Sequence, residues 1–357
     1  MGRTTGRGSN PSGDESSTPP ASPLNGLLRL PWKNVTANCE LALKMTNLPH
    51  ECEQLFLLDG GLETEMIFNR GFELPAFAAH TLLSDPLGRE ALKNYFHGFL
   101  DLAKEKQFGF LIDAPTWRAQ PFFAEELGVS VEEIRQANFR AVEFAKTLKQ
   151  AYVAQIKPLL INGLIGPCGD AYGGEHFSDA EEAQAYHRQQ ISWLAAAGID
   201  LLGAFTLTSV NEAIGIVRAS QEFSLPVSIS FTVETDGHLP TGTALSEAIA
   251  RVDEATHQRA AYFMVNCAHP DHFCSVITEE AWLSRLGGFR CNPSRRSHAQ
   301  LDQADFLDIG NPVELAHSYW TLKQKVPSAN VFGTCCGSDL RHIRAIADVF
   351  DEKMSNA

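Results

Sequence analysis

Asn330-Val-Phe-Gly-Thr-Cys-Cys-Gly-Ser-Asp339 joins a short apolar run to two adjacent cysteines bracketed by Gly333 and Gly337. Val331 and Phe332 read as a buried strand that ends where the thiols begin. Two neighbouring thiols on a glycine-flanked turn rarely both serve packing, because one of them must point away from the core. A strained vicinal disulfide, or one buried thiol beside one idle thiol, also fits this stretch taken alone. A second run ends the same way. Ala261-Tyr-Phe-Met-Val-Asn-Cys267 is apolar and delivers Cys267 just after Asn266. Three cysteines at the ends of two strands can make a three-thiolate zinc site with its fourth position open. An open position distinguishes a catalytic zinc from a structural one.

Outward from these two runs, strand and helix alternate from Glu53 onward. Short apolar runs predict strands over 55–58, 108–113, 158–166, 199–205, 226–231, 261–267, 288–291 and 330–332. Helical spacing predicts helices over 86–106, 131–155, 179–197, 211–220, 246–258 and 341–353, with Ser130 as an N-cap and Gly198 as a stop. The strands are continuously apolar rather than alternating, which indicates a parallel sheet covered on both faces. Such a series of units fits a (β/α)8 TIM barrel, whose active site lies at the C-terminal ends of its strands. A doubly wound open sheet is the alternative, and it lacks a Gly-rich fingerprint after the first strand. In a closed barrel one strand separates the sixth from the eighth, so Cys267 approaches Cys335 and Cys336.

The chain has 357 residues, 44% hydrophobic and 20% charged, in the range of a soluble globular enzyme. Its net charge of −14 makes binding to a phosphate backbone unexpected, so no nucleic acid partner is assigned. The apolar runs fall far short of the ~20 residues that span a bilayer, so no membrane partner is expected either. Eight cysteines in a chain with ample core read as free thiols in a reducing cytoplasm. Residues 1–44 are rich in Gly, Ser, Thr and Pro at their start and read as a low-complexity, disordered and dispensable extension. The barrel domain is then 45–357.

Four motifs at predicted strand ends resemble the homocysteine S-methyltransferase family. They are Leu58-Asp-Gly-Gly-Leu-Glu-Thr64, Ile165-Gly-Pro-Cys-Gly169, Val265-Asn-Cys267 and Gly333-Thr-Cys-Cys-Gly337. The resemblance implies a (β/α)8 barrel that methylates the thiol of homocysteine to give methionine. It also implies Zn2+ bound by Cys267, Cys335 and Cys336, with Asp59, Gly60 and Asn266 lining the amino-acid pocket. The partners it implies are a small thiol and a small methyl donor, such as S-methylmethionine, S-adenosylmethionine or a betaine. Homo-oligomerisation is left open. Thr334 and Ser338 depart from the family pattern around the cysteine pair in ways expected to keep the turn.

A larger departure lies on the fourth strand. There the family places a glutamate followed by Thr to hold the substrate's ammonium, and this chain reads Phe205-Thr206. Glu63 or Glu234 is expected to supply the missing charge, with Thr206 beside the pocket. The departure leaves methylation of a different small thiol as an alternative, and a non-catalytic zinc or redox-sensing barrel as another. Cys168 and Cys291 read as packing or support. His269, His272 and Cys274 read either as a second ligand set or as a lid. Arg295 and Arg296 read either as a solvated loop or as a carboxylate contact, and Trp117 and Tyr172 either as donor-pocket walls or as barrel caps.

Overall fold

Eight parallel strands, each hydrogen-bonded to its neighbours in chain order, close into a barrel in the computed structural model, which describes residues 48–173, 177–278 and 280–355. The expected extension over 1–44 lies outside the described residues. The strands are β1 Phe56–Leu57, β2 Gly109–Ala114, β3 Leu159–Ile165, β4 Leu201–Leu207, β5 Val227–Phe231, β6 Tyr262–Asn266, β7 Leu286–Cys291 and β8 Val331–Thr334. Every residue of all eight is buried. Alternate side chains face the barrel interior or the surrounding helices, so neither face meets water.

The longer helices are α1 Pro86–Lys106, α2 Val131–Tyr152, α3 Ala180–Ala197, α4 Val210–Glu222, α5 Leu245–Thr256, α6 Pro312–Lys325 and α7 Leu340–Ser355. Ser130 caps α2 as expected, accepting from Glu133 N while the Glu133 carboxylate takes the Ser130 N–H. Gly198 ends α3 in the left-handed region at φ +82°. Two differences from the sequence reading stand out. After β6 the helix is one short turn, Pro270–Phe273. Helix α6 is not among the elements expected from the sequence, although Asn311 caps it, Pro312 opens it, and Leu315, Tyr319 and Leu322 mark its buried face.

The barrel interior is layered. Phe56, Leu111, Leu160, Leu201, Tyr262 and Met264 are among an apolar cluster separate from the larger core beneath the helices. Asp59, Asp113, Asn162, Ser230, Asn266 and Arg290 are also buried. They lie toward the strand ends, where the apolar filling gives way to charge. Asn266 of β6 stands opposite Arg290 of β7, which stands opposite Gly333 of β8. That register places both cysteine-bearing strand ends against the same central strand.

Among the supporting turns, His80 is buried and its Nδ1 has no hydrogen-bond partner. Burial lowers its pKa from 6.5 to about 4. The unfolded chain therefore takes up this proton first, and stability should fall by up to about 3 kcal/mol as pH drops from the unfolded value toward the folded one. His80→Leu should remove that share of the acid sensitivity, read as urea midpoints at neutral and mildly acidic pH. Equal acid shifts in the two proteins would assign the sensitivity to other groups.

Candidate metal and substrate site

The eighth strand ends in a turn stitched to the first. Gly337 adopts φ +85°, and its N–H donates to Thr64 Oγ1 at 3.1 Å. Gly61 N donates to Ser338 Oγ at 3.2 Å, and a Cβ on Gly61 would sit 2.6 Å from the Cys335 carbonyl oxygen. Glycine at 61 therefore permits the two turns to touch. The two departures from the family pattern meet here as a pair, since Ser338 Oγ donates to Thr334 Oγ1 at 2.7 Å.

The sulfurs of Cys267, Cys335 and Cys336 lie within 4.8 Å of one another and could hold a metal ion. Cys267 N donates to the Arg290 carbonyl and Cys335 N to the Cys291 carbonyl, so β7 holds both strand ends in place. Cys267 and Cys335 approach to 2.8 Å, sulfur to sulfur. Cys267 has φ +56° and Thr206 φ +66°, both sparsely populated for residues with a Cβ. Such conformations persist where the surroundings over-determine them. Here Asn266 supplies the constraint. Its Nδ2 donates to Cys267 Sγ at 3.2 Å and Thr206 Oγ1 at 2.9 Å, while its Oδ1 accepts from Thr206 N at 2.9 Å and Ser230 Oγ at 2.7 Å.

Hydrogen bonds from Cys335 and Cys336, then from Thr206, pull the Cys267 pKa well below the ordinary thiol value. The same bonds push Cys335 up to about 12 and Cys336 well above its ordinary value. Three like charges this close cannot all form without a cation among them. The donor set thus fits a thiophilic divalent ion.

Arg290, which the sequence reading passes over, crosses the barrel directly beneath. Its guanidinium donates to Asp59 Oδ1, to Asp113 Oδ2 at 2.8 Å, to the Gly60 carbonyl at 3.0 Å and to the Thr334 carbonyl at 3.1 Å. Asp113 also accepts from Asn162 Nδ2 at 2.8 Å, and the Phe205 ring lies 5.2 Å from the guanidinium carbon. Burial works against the charge of Arg290, but Asp59 and Asp113 outweigh it and keep the guanidinium protonated. Burial pushes both carboxyls up, against the pull of Arg290. Asp59 is 1% exposed and already engaged by Arg290.

Glu63 stands on the short helical turn Leu62–Thr64 that follows the Asp59-Gly60-Gly61 turn. Burial raises it to about 7, with the Cys335 sulfur adding to the rise while Arg290 and Arg118 oppose it. Glu234, after β5, acts on His298, whose ring stacks on Tyr172 at 3.3 Å. Tyr172 bonds Thr232 through its hydroxyl at 3.1 Å and lies close enough to all three cysteines to feel their charge. Trp117 donates from its indole nitrogen to the Phe205 carbonyl at 3.3 Å.

The remaining candidates have structural partners. Cys291 is fully buried, its N–H bonded to Tyr319, and the Cys168 N–H donates to Glu212 Oε1 at 2.8 Å. His269 caps the Pro270–Phe273 turn and His272 bonds the Arg295 carbonyl. Among the described residues, His269, His272 and Cys274 form no metal-holding group. Arg295 pairs with Asp271 and Glu314, and Arg296 with Asp308.

A model of the family described as homocysteine S-methyltransferase matches residues 56–350. The homocysteine S-methyltransferase of Escherichia coli K12 is 28% identical over 228 residues, covering 60% of this chain and 70% of that one. The selenocysteine Se-methyltransferase of Brassica oleracea var. italica is 24% identical over 344 residues, covering 87% and 94% respectively. Among solved structures, the metallated form of the homocysteine methyltransferase MmuM from Escherichia coli matches with a TM-score of 0.64 at 21% identity. That match covers 85% of this chain and 99% of the other and bears on the fold.

Proposed function

Since the chain belongs to the homocysteine S-methyltransferase family, we propose that it transfers a methyl group from a small donor to the thiol of L-homocysteine, giving methionine. The observation that carries this reading is the convergence of three sulfurs, from two distant segments, at the C-terminal rim of the barrel. Cys267, Cys335 and Cys336 are the ligands in this reading, and three thiolates suit zinc. A bound zinc ion would supply a Lewis acid that takes the acceptor sulfur and favours its thiolate near neutral pH.

The chain's own residues supply placement. Asn266 and Thr206 hold the Cys267 sulfur at a fixed position, and Ser230 holds Asn266. Asp59 and Gly60 form the pocket wall, with Asp59 acting through Arg290. Glu234 is assigned to the donor side of the rim, beside His298 and Tyr172. The acceptor sulfur attacks the methyl carbon in line. A sulfur–carbon bond forms as the donor's bond to that carbon breaks, and the electron pair leaves with the donor. The thiol proton passes to solvent. S-methylmethionine, S-adenosylmethionine and betaine-like donors all satisfy this balance. Residues 45–357 form the catalytic domain in this reading. A site that works only with reduced thiols fits a reducing compartment such as the cytoplasm.

A donor-by-thiol matrix on zinc-loaded protein, with products identified by mass, tests the reading. Methionine from homocysteine with at least one small donor is the expected result. Absence of any methylated thiol across the matrix would leave only a metal-holding barrel. Methylation of another thiol in preference to homocysteine would move the assignment to that acceptor.

A further inference from the structure

The proposed acceptor is an α-amino acid, and this inference rests on that reading. Its ammonium needs a carboxylate that is near the sulfurs and not already committed to a cation. Acidic side chains around the centre include Asp59, Asp113, Glu234 and Glu63. Asp59 and Asp113 are both paired with Arg290, which also donates to two backbone carbonyls, so both carboxylates are already committed to a cation. Phe205 beside it contributes a ring and no charge. Glu234 stands after β5 beside His298, which pairs with Asp302 at 3.1 Å and stacks on Tyr172; unlike Glu63, it lies on no turn that is hydrogen-bonded to the cysteine turn among the described residues.

Glu63 is different. It follows Gly61 and Leu62 on the turn that touches the cysteine turn at two points, through Gly61 to Ser338 and Thr64 to Gly337. Its carboxylate forms no ion pair with Arg118 or Arg290, although it feels the charge of both and that of the Cys335 sulfur. Arg118 is held elsewhere, its guanidinium 4.1 Å over the Trp117 ring and bonded to the Gly169 carbonyl. Glu63 is half-buried, so a ligand can reach it while bulk water screens it little. A carboxylate in that setting gains most from a ligand that brings its own positive charge.

We infer that Glu63 binds the substrate ammonium group and selects α-amino thiols over thiols that carry only a carboxylate. The contact comes from the first βα turn and takes the place of a carboxylate at Phe205. It orients the acceptor with its amine toward the β1 side of the rim and its sulfur toward the cysteines.

The test uses the zinc-loaded full chain, as wild type and Glu63→Gln, with homocysteine and with the mercaptobutanoate that is homocysteine without its amino group. A charge-assisted contact of this kind predicts a rise in homocysteine KM of about 10- to 100-fold in E63Q, with kcat falling far less. The KM for the amine-free thiol should match between the two proteins, and Glu63→Asp should recover part of the homocysteine affinity. Calorimetric binding of homocysteine to the same two proteins reads the contact without turnover. Unchanged homocysteine affinity in E63Q, an equal loss for both thiols, or no homocysteine binding by wild type would overturn the assignment. Intact binding with no methylated product would instead overturn the reaction and leave the contact standing.

Discussion

Cys267→Ala should empty the metal centre, lowering bound zinc from about one ion per chain to about none and methyl transfer by more than about a thousandfold, since even outer partners of a metal ligand cost about 10- to 100-fold when lost. Cys267 is the sulfur that the surrounding hydrogen bonds favour as a thiolate. Its backbone sits in the left-handed region because Asn266, Thr206 and the β7 carbonyl hold it there. Removing it takes away one of three thiolate ligands and leaves Cys335 and Cys336 as an adjacent pair without a third. Cys335→Ala and Cys336→Ala should behave alike. Metal analysis of purified proteins, alongside turnover and circular dichroism, separates loss of the ion from loss of the fold. Near-normal turnover in a zinc-free preparation would refute the role given to the metal.

The second large effect is on stability. Arg290→Met should destabilise the barrel by about 3–5 kcal/mol, the range for breaking a buried ion pair by removing one partner. The guanidinium reaches two carboxylates and two backbone carbonyls, all within the barrel wall. Without it Asp59 and Asp113 must take up protons or remain charged in an apolar setting. Their folded pKa values, already pushed up by burial, then rise further above the unfolded value near 3.9, so the added penalty is felt at neutral pH and shrinks as pH falls. The triple variant Arg290→Met, Asp59→Asn, Asp113→Asn should recover much of the loss, because it removes the stranded charges along with the cation. Urea midpoints for the wild type and both variants measure this. A single variant as stable as wild type at neutral pH would show that the cluster does not carry the charges assigned to it.

The barrel was legible because its signals are local. Eight short, mainly apolar runs, the Ser130 cap, the Gly198 stop and the helical spacing over 86–106 each depend on a few neighbouring residues. The cysteines were legible for the same reason. Each lies directly after a strand, and strand order alone brings the ends of β6 and β8 to either side of β7. The helix Pro312–Lys325 carried a comparable signal in Asn311, Pro312 and its apolar spacing, so the residues did not conceal it.

Which carboxylates are committed and which are open is another matter. Arg290 lies 231 positions from Asp59 and 177 from Asp113, and they meet only because the closed sheet sets their height and facing within one interior. No periodicity in the chain distinguishes Asp59, which is sealed against that guanidinium, from Glu63, four residues later and without an ion pair among the described residues. The left-handed backbones of Thr206 and Cys267 likewise have no local cause, being imposed by an amide from another strand and a carbonyl from the next. The chain by itself therefore determined the architecture and the thiols, which follow from short-range pattern and strand order. The tertiary structure decided the charge partnerships around them, because electrostatic pairing depends on distance and burial, and both exist only once the barrel has closed.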